Sequence, residues 1–100
     1  MTKEQKIQEL LWLAVLVDQK TDYCVFIRYS GHVQWLEMEI RESKANYDKE
    51  VAESRIILHD KDFDERYERA KEVLTSILEK GEIHYDMLEK YERIEYGYRF

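Results

Sequence analysis

Three histidines, one cysteine and 22 carboxylates are the side chains from which this 100-residue chain would have to build a reaction or a metal site. His32, His59 and His84 fall in a hairpin turn, at a strand end and at a helix start, and no two share the short spacing of a zinc or calcium site. They read as surface histidines. Cys24 stands inside a strand with no neighbour that would lower its pKa, so it reads as a small packing residue and not as a thiolate. A nucleophile and base made from Cys24 and a histidine would be a spatial fact that spacing does not supply. Ser30-Gly31-His32 holds one glycine and leads into a strand, whereas phosphate cradles open onto a helix. The sequence therefore implies no catalysis, no cofactor and no metal, and favours a binding protein over an enzyme.

The carboxylates are better placed for recognition. Asp60, Asp62, Asp64, Glu65, Glu68 and Glu72 crowd the start of one helical segment, and Glu79, Glu82, Asp86, Glu89, Glu92 and Glu95 follow it. Their ordinary role is structural: acids favour a helix N-terminus, and Glu65 to Arg69, Asp86 to Lys90 and Glu89 to Arg93 have ion-pair spacing. Their alternative role is a docking surface, because Tyr47, Tyr85, Tyr96 and Tyr98 could join Trp35 as aromatic anchors. The residues singled out for a partner are Glu37, Glu39, Asp60, Asp62, Asp64 and Glu68 as charges, with Trp35 and Tyr47 as anchors. A net charge of -6 disfavours nucleic acid as a direct ligand, since phosphate binding draws on Lys and Arg. It suits a cationic partner, including a protein that itself holds nucleic acid.

Periodicity shows which elements must carry these groups. Thr2 and Gln5 have capping-box spacing and open a helix over 3–17. Ile7, Leu10, Leu11, Trp12, Leu13, Ala14, Val15, Leu16 and Val17 cover more than the band of roughly 100° that a surface helix buries. Trp12 is assigned to the core, and part of this helix, around Trp12 or Leu16, must find a second apolar surface. Strands over 23–29 and 33–42 follow, joined through Ser30-Gly31, where glycine supplies a positive φ. Leu36, Met38 and Ile40 alternate with Trp35, Glu37, Glu39 and Arg41, one face apolar and one charged. A two-residue loop sets Val25 against Leu36 inside and Phe26 against Trp35 outside; a three-residue loop sets Phe26 against Leu36 and Ile27 against Trp35.

A polar loop over 43–50 holds Tyr47, and a third strand runs over 52–59. Asp62 with Glu65 then caps a second helix that Gly81 ends, with Phe63, Tyr67, Ala70, Leu74 and Ile77 as its core face. Residues 82–95, with Ile83, Met87, Tyr91 and Ile94 on one side, allow a third helix, and an aromatic tail closes the chain. The expected fold is a single α+β domain over 1–100: a three-stranded antiparallel sheet with helices packed on one face, in the order αβββα. One cysteine fits a reducing cytoplasm, and the apolar run near the N-terminus is too short to span a bilayer, so a soluble, unprocessed protein is expected.

The stretch Tyr29-Ser30-Gly31-His32-Val33-Gln34-Trp35-Leu36-Glu37-Met38-Glu39-Ile40 resembles a hairpin recurrent in small uncharacterised proteins of Gram-positive phages and prophages. The whole-chain order of helix, three antiparallel strands and acidic helix is similar to type II-A anti-CRISPR proteins that imitate DNA and occupy the PAM-reading site of Cas9. That resemblance implies a phage accessory protein that inhibits a host protein, a nucleic-acid-binding effector, by stoichiometric binding in the host cytoplasm. The other expectation is a homodimeric structural or regulatory module, joined through the open sheet face or through Trp12 and Leu16.

Overall fold

Thr2 and Gln5 do form the capping box: the Gln5 amide donates to Thr2 Oγ1 at 3.1 Å, and the Thr2 amide donates to Gln5 Oε1 at 2.7 Å. In the computed structural model, which describes residues 1–46, 48–91 and 97–100, this box opens helix α1, Lys3–Lys20. Tyr47 and residues 92–96, Ile94 and Tyr96 among them, lie outside the described residues. The helix outruns the expected end at Val17, because Asp18, Gln19 and Lys20 tolerate helix and Thr21 then caps it through its amide on the Val17 carbonyl, 3.1 Å.

The hairpin follows as β1, Cys24–Ser30, and β2, Trp35–Arg41. Its turn differs from both expected loops. Residues 31–34 form a four-residue turn, and the left-handed position is Gln34, φ 55°, and not Gly31. The Gln34 carbonyl accepts the Leu58 amide at 3.1 Å, a bond to the end of the next strand that helps hold this conformation. Ser30 is thereby set opposite Trp35, Tyr29 opposite Leu36, Ile27 opposite Met38 and Val25 opposite Ile40. The register differs from the two-residue case by an even step, so Phe26 still faces outward, but Trp35 has Ser30 beside it on β1. Its large apolar neighbour comes instead from β3, Glu50–Ile57, where Ile57 lies opposite Trp35.

Helix α2, Phe63–Lys80, ends as expected on Gly81, whose φ of 77° costs glycine little. At the other end, Asp62 occupies the N-cap position without a side-chain capping bond. Where a third helix was allowed, the chain makes a 3₁₀ turn, Tyr85–Met87, and two short strands, β4, Glu89–Tyr91, and β5, Gly97–Arg99. The reason is the unpaired edge of β3, which offers backbone groups that the tail can satisfy. Strand β5 runs parallel to β3, the Phe100 amide donates to the Glu53 carbonyl at 2.9 Å, and the Phe100 ring is fully buried. The three antiparallel strands β1, β2 and β3 are thus extended into a five-stranded sheet of order β1-β2-β3-β5-β4.

Both helices pack on one face of that sheet, side by side, with their N-terminal ends together: Lys6 Nζ donates to Asp64 at 2.7 Å, and Lys3 Nζ lies 5.1 Å from the Phe63 ring centroid. The core between the layers takes Leu10, Ala14 and Val17 from α1, Leu36, Met38 and Ile40 from β2, Ala52 and Ile56 from β3, and Phe63, Tyr67, Ala70, Val73, Leu74 and Ile77 from α2. Trp12 is not part of it. The indole is 63% exposed, because the positions that face the sheet and α2 are already filled by Leu10, Ala14 and Val17. Among the described residues no helix is long and apolar enough to cross a membrane.

Candidate functional site

The residues singled out from sequence are divided between two places. Trp35, Glu37 and Glu39 lie on the sheet face turned away from the helices, because β2 buries every second residue from Leu36 to Ile40. Cross-strand neighbours on that face sit within reach of one another, and here they are cations. Glu37 lies opposite Arg28 on one side and Arg55 on the other, and pairs with both, the second at 3.5 Å. Glu39 pairs with Arg41. The same guanidinium groups cover the rings: Arg55 lies 4.5 Å from the Trp35 centroid and Arg41 lies 5.5 Å from that of Phe26. Glu37 holds the Arg28 pKa above its ordinary value, and Glu39 does the same for Arg41, both mainly through hydrogen bonds. Carboxylates this closely paired have little free field to offer.

A shallow hollow of about 580 Å³ opens on this face between Phe26, Arg28, Arg41, Glu37 and Glu39. Beside it, Glu39, Glu50 and Glu53 bring carboxylate oxygens within 4.8 Å of one another, the arrangement among the described residues that could hold a metal ion. Arg41 already supplies a cation to Glu39 there. The three histidines join no such group among the described residues, and Cys24 is half-buried.

The second place is the start of α2. Asp62 pairs with Arg66 one turn on, at 3.8 Å, and Asp64 with Lys6 of α1, at 2.7 Å. The Lys6 ammonium holds the Asp64 carboxyl below its usual range. Of the six acids expected to contact a partner, only Asp60 and Glu68 stand exposed with no ion pair among the described residues. Trp35 is half-buried beneath Arg55, and Tyr47 falls outside the described residues.

To Glu68 the structure adds Glu65, Glu72 and Glu79, acids that the sequence reading did not assign to a site. At about 100° per residue, the side of α2 opposite Phe63, Tyr67, Ala70, Leu74 and Ile77 is occupied by Glu65, Glu68, Glu72 and Glu79, with Thr75 and Ser76 between. All four carboxylates are exposed and none pairs with a cation among the described residues. The expected Glu65 to Arg69 pair is not made; Arg69 turns inward and donates to the Met87 carbonyl at 3.5 Å. Lys71 is likewise drawn away, to Glu9 of α1, 3.0 Å. A hollow of about 500 Å³ runs along this ridge between Glu68, Lys71, Glu72, Glu79 and Met87. The signal was available as the complement of the core face: any acid half a turn from Tyr67 and Leu74 must point to water.

Compared with known proteins, the chain matches no family model, no curated protein and no solved structure.

Proposed function

We propose that the protein acts by stoichiometric binding to a cationic protein surface, and that the outward ridge of α2 is what that surface meets. The observation that carries this is the contrast in pairing: Glu65, Glu68, Glu72 and Glu79 are exposed and unpaired among the described residues, while Glu37, Glu39, Asp62 and Asp64 are neutralised from within. Glu65, Glu68 and Glu72 follow at three- and four-residue steps, which sets neighbouring Cβ atoms about 5–6 Å apart, and Glu79 stands two turns beyond on the same side, so the row can engage a cluster of Arg and Lys together. Such clusters are found on proteins that hold nucleic-acid phosphates, and burying them against fixed carboxylates would block the site by occupancy.

The resemblance to type II-A anti-CRISPR proteins supplies a partner of that chemistry. In that reading the protein is a phage accessory protein in the host cytoplasm, and its α2 ridge with Asp60 stands in for DNA against the PAM-reading arginines of Cas9. The direct test titrates the protein against guide-loaded Cas9 of a type II-A system and measures displacement of a PAM-bearing duplex. Affinity should fall with added salt. A variant with Glu65, Glu68, Glu72 and Glu79 all replaced by Gln should keep its thermal melt and lose roughly ten- to a hundredfold in affinity. No displacement at any concentration would remove Cas9 as the partner; binding indifferent to salt and to the four substitutions would remove the ridge.

A further inference from the structure

The outward side of α1 is built on the opposite plan. At about 100° per residue, Gln5, Gln8, Trp12, Val15, Leu16 and Gln19 project away from buried Leu10, Ala14 and Val17. Trp12 is 63% exposed and Val15 44%. Exposed Glu4 borders this stripe at its N-terminal end, and from Gln8 to Gln19 the stripe carries no formal charge, although 38% of the chain is charged. Its pattern is also symmetric along the helix. Trp12 and Val15 lie equally far from the point between Leu13 and Ala14, as do half-buried Leu11 and Leu16, and further out Gln8 and Gln19. Gln8, Trp12, Val15 and Gln19 have the alternating four- and three-residue steps of a coiled-coil seam.

We infer that two copies of this chain pair through the outward faces of α1. A second copy laid along the stripe in either direction sets apolar centre on apolar centre and amide on amide, the self-complementarity a twofold interface requires. Charge selects the same face. Each copy carries -6, and contact through α2 would set carboxylate against carboxylate, whereas the α1 stripe from Gln8 to Gln19 adds no like charges to the contact. The stretch from Gln8 to Gln19 is only about 16 Å long at 1.5 Å per residue. The buried area therefore falls at or below the roughly 1,000 Å² of a stable interface, and the dimer is a weak one, with a dissociation constant in the micromolar range or above.

This pairing stands on α1 and is independent of the ridge on α2. Sedimentation equilibrium of the full chain, from about 1 μM to about 500 μM, reads it directly. The expected result is a monomer–dimer equilibrium that holds or tightens as salt rises from about 0.05 to about 0.5 M, because screening removes the repulsion between copies. Trp12→Lys and, separately, Val15→Lys should weaken it by about tenfold or more with the fold intact by circular dichroism, since neither side chain is part of the core. The four-Gln variant of α2 should dimerise at least as well as the native chain. A monomer at every concentration, or a dimer that neither lysine substitution weakens, would overturn the inference.

Discussion

Two helices of 18 residues each lie side by side on one sheet face, and they dispose of their charges in opposite directions. On α1 four of the six ionisable side chains are turned to the rest of the molecule: Lys3 donates to the Leu58 carbonyl, Lys6 to Asp64, Asp18 accepts the Val25 amide at 3.0 Å, and Glu9 accepts from Tyr67 Oη at 2.6 Å. What is left outside between Gln8 and Gln19 is amide and hydrocarbon, with Glu4 and Lys20 exposed towards the two ends. On α2 the cations Arg66, Arg69 and Lys71 are drawn inward or sideways by Asp62, Met87 and Glu9, and the acids remain outside. The difference teaches that a count of charges says little about a surface. Where each charge finds its partner decides which face is left able to attract.

The largest effects should separate the inner from the outer side of each helix. Leu10→Ala on α1 and Leu74→Ala on α2, both fully buried, should each cost about 2–5 kcal/mol in denaturant titration. Trp12→Ala and Glu72→Gln, measured in dilute monomer, should stay within about 0.5 kcal/mol. A Trp12→Ala cost equal to that of Leu10→Ala would erase the contrast on α1.

A smaller effect is expected in the seam between the helices. Tyr67→Phe removes the hydrogen bond to Glu9 while leaving Lys71 to pair with that carboxylate, and should cost about 1 kcal/mol, read by thermal melting. On the sheet side of the core, Ser54 is 3% exposed and its hydroxyl has no partner among the described residues. Ser54→Ala should therefore be neutral or stabilising by up to about 1 kcal/mol, and a loss of stability would mean that the hydroxyl is satisfied after all.

The smallest effect is the pH dependence of the seam. Hydrogen bonds from Tyr67 and then Lys71 hold Glu9 below its ordinary pKa, as Lys6 holds Asp64. A carboxylate lowered by folding stabilises the native state above its unfolded pKa and loses that contribution as the pH falls through the folded value. Melting temperature should thus decline on acidification through and below the ordinary carboxylate range. The double variant Glu9→Gln with Asp64→Asn should flatten that decline; an unchanged slope would show that the two pairs are screened out by solvent.

Much of the architecture was legible before any coordinates. The capping box at Thr2, the left-handed end at Gly81, the alternation through β2 and the core face of α2 are local patterns, and local rules decide them. The hairpin register was not, because the turn that sets it is held by the Leu58 amide just past β3, a contact absent from the turn's own residues. The C-terminal segment differs for a related reason: β5 pairs with the open edge of β3 and β4 with β5, which draws Glu89–Tyr91 away from its helical period, and that edge exists only once the sheet does. For the docking residues, the sequence located the acidic cluster but could not tell paired from unpaired, so Glu37, Glu39, Asp62 and Asp64 were chosen alongside Glu68.

From the residues alone came the class of fold, the sign of the net charge, the absence of any patterned catalytic or cofactor motif, and the surplus of apolar surface on the first helix. These are properties of composition and of spacing along one element, and they need no knowledge of neighbours. Only the tertiary structure decided that Arg28, Arg41 and Arg55 cancel Glu37 and Glu39 on the outer sheet face, that Glu65, Glu68, Glu72 and Glu79 of α2 stay without an ion pair among the described residues, and that Trp12 faces water. Those outcomes depend on which side chains are brought within a few ångströms of one another from distant parts of the chain, and electrostatic pairing and burial are set by that distance.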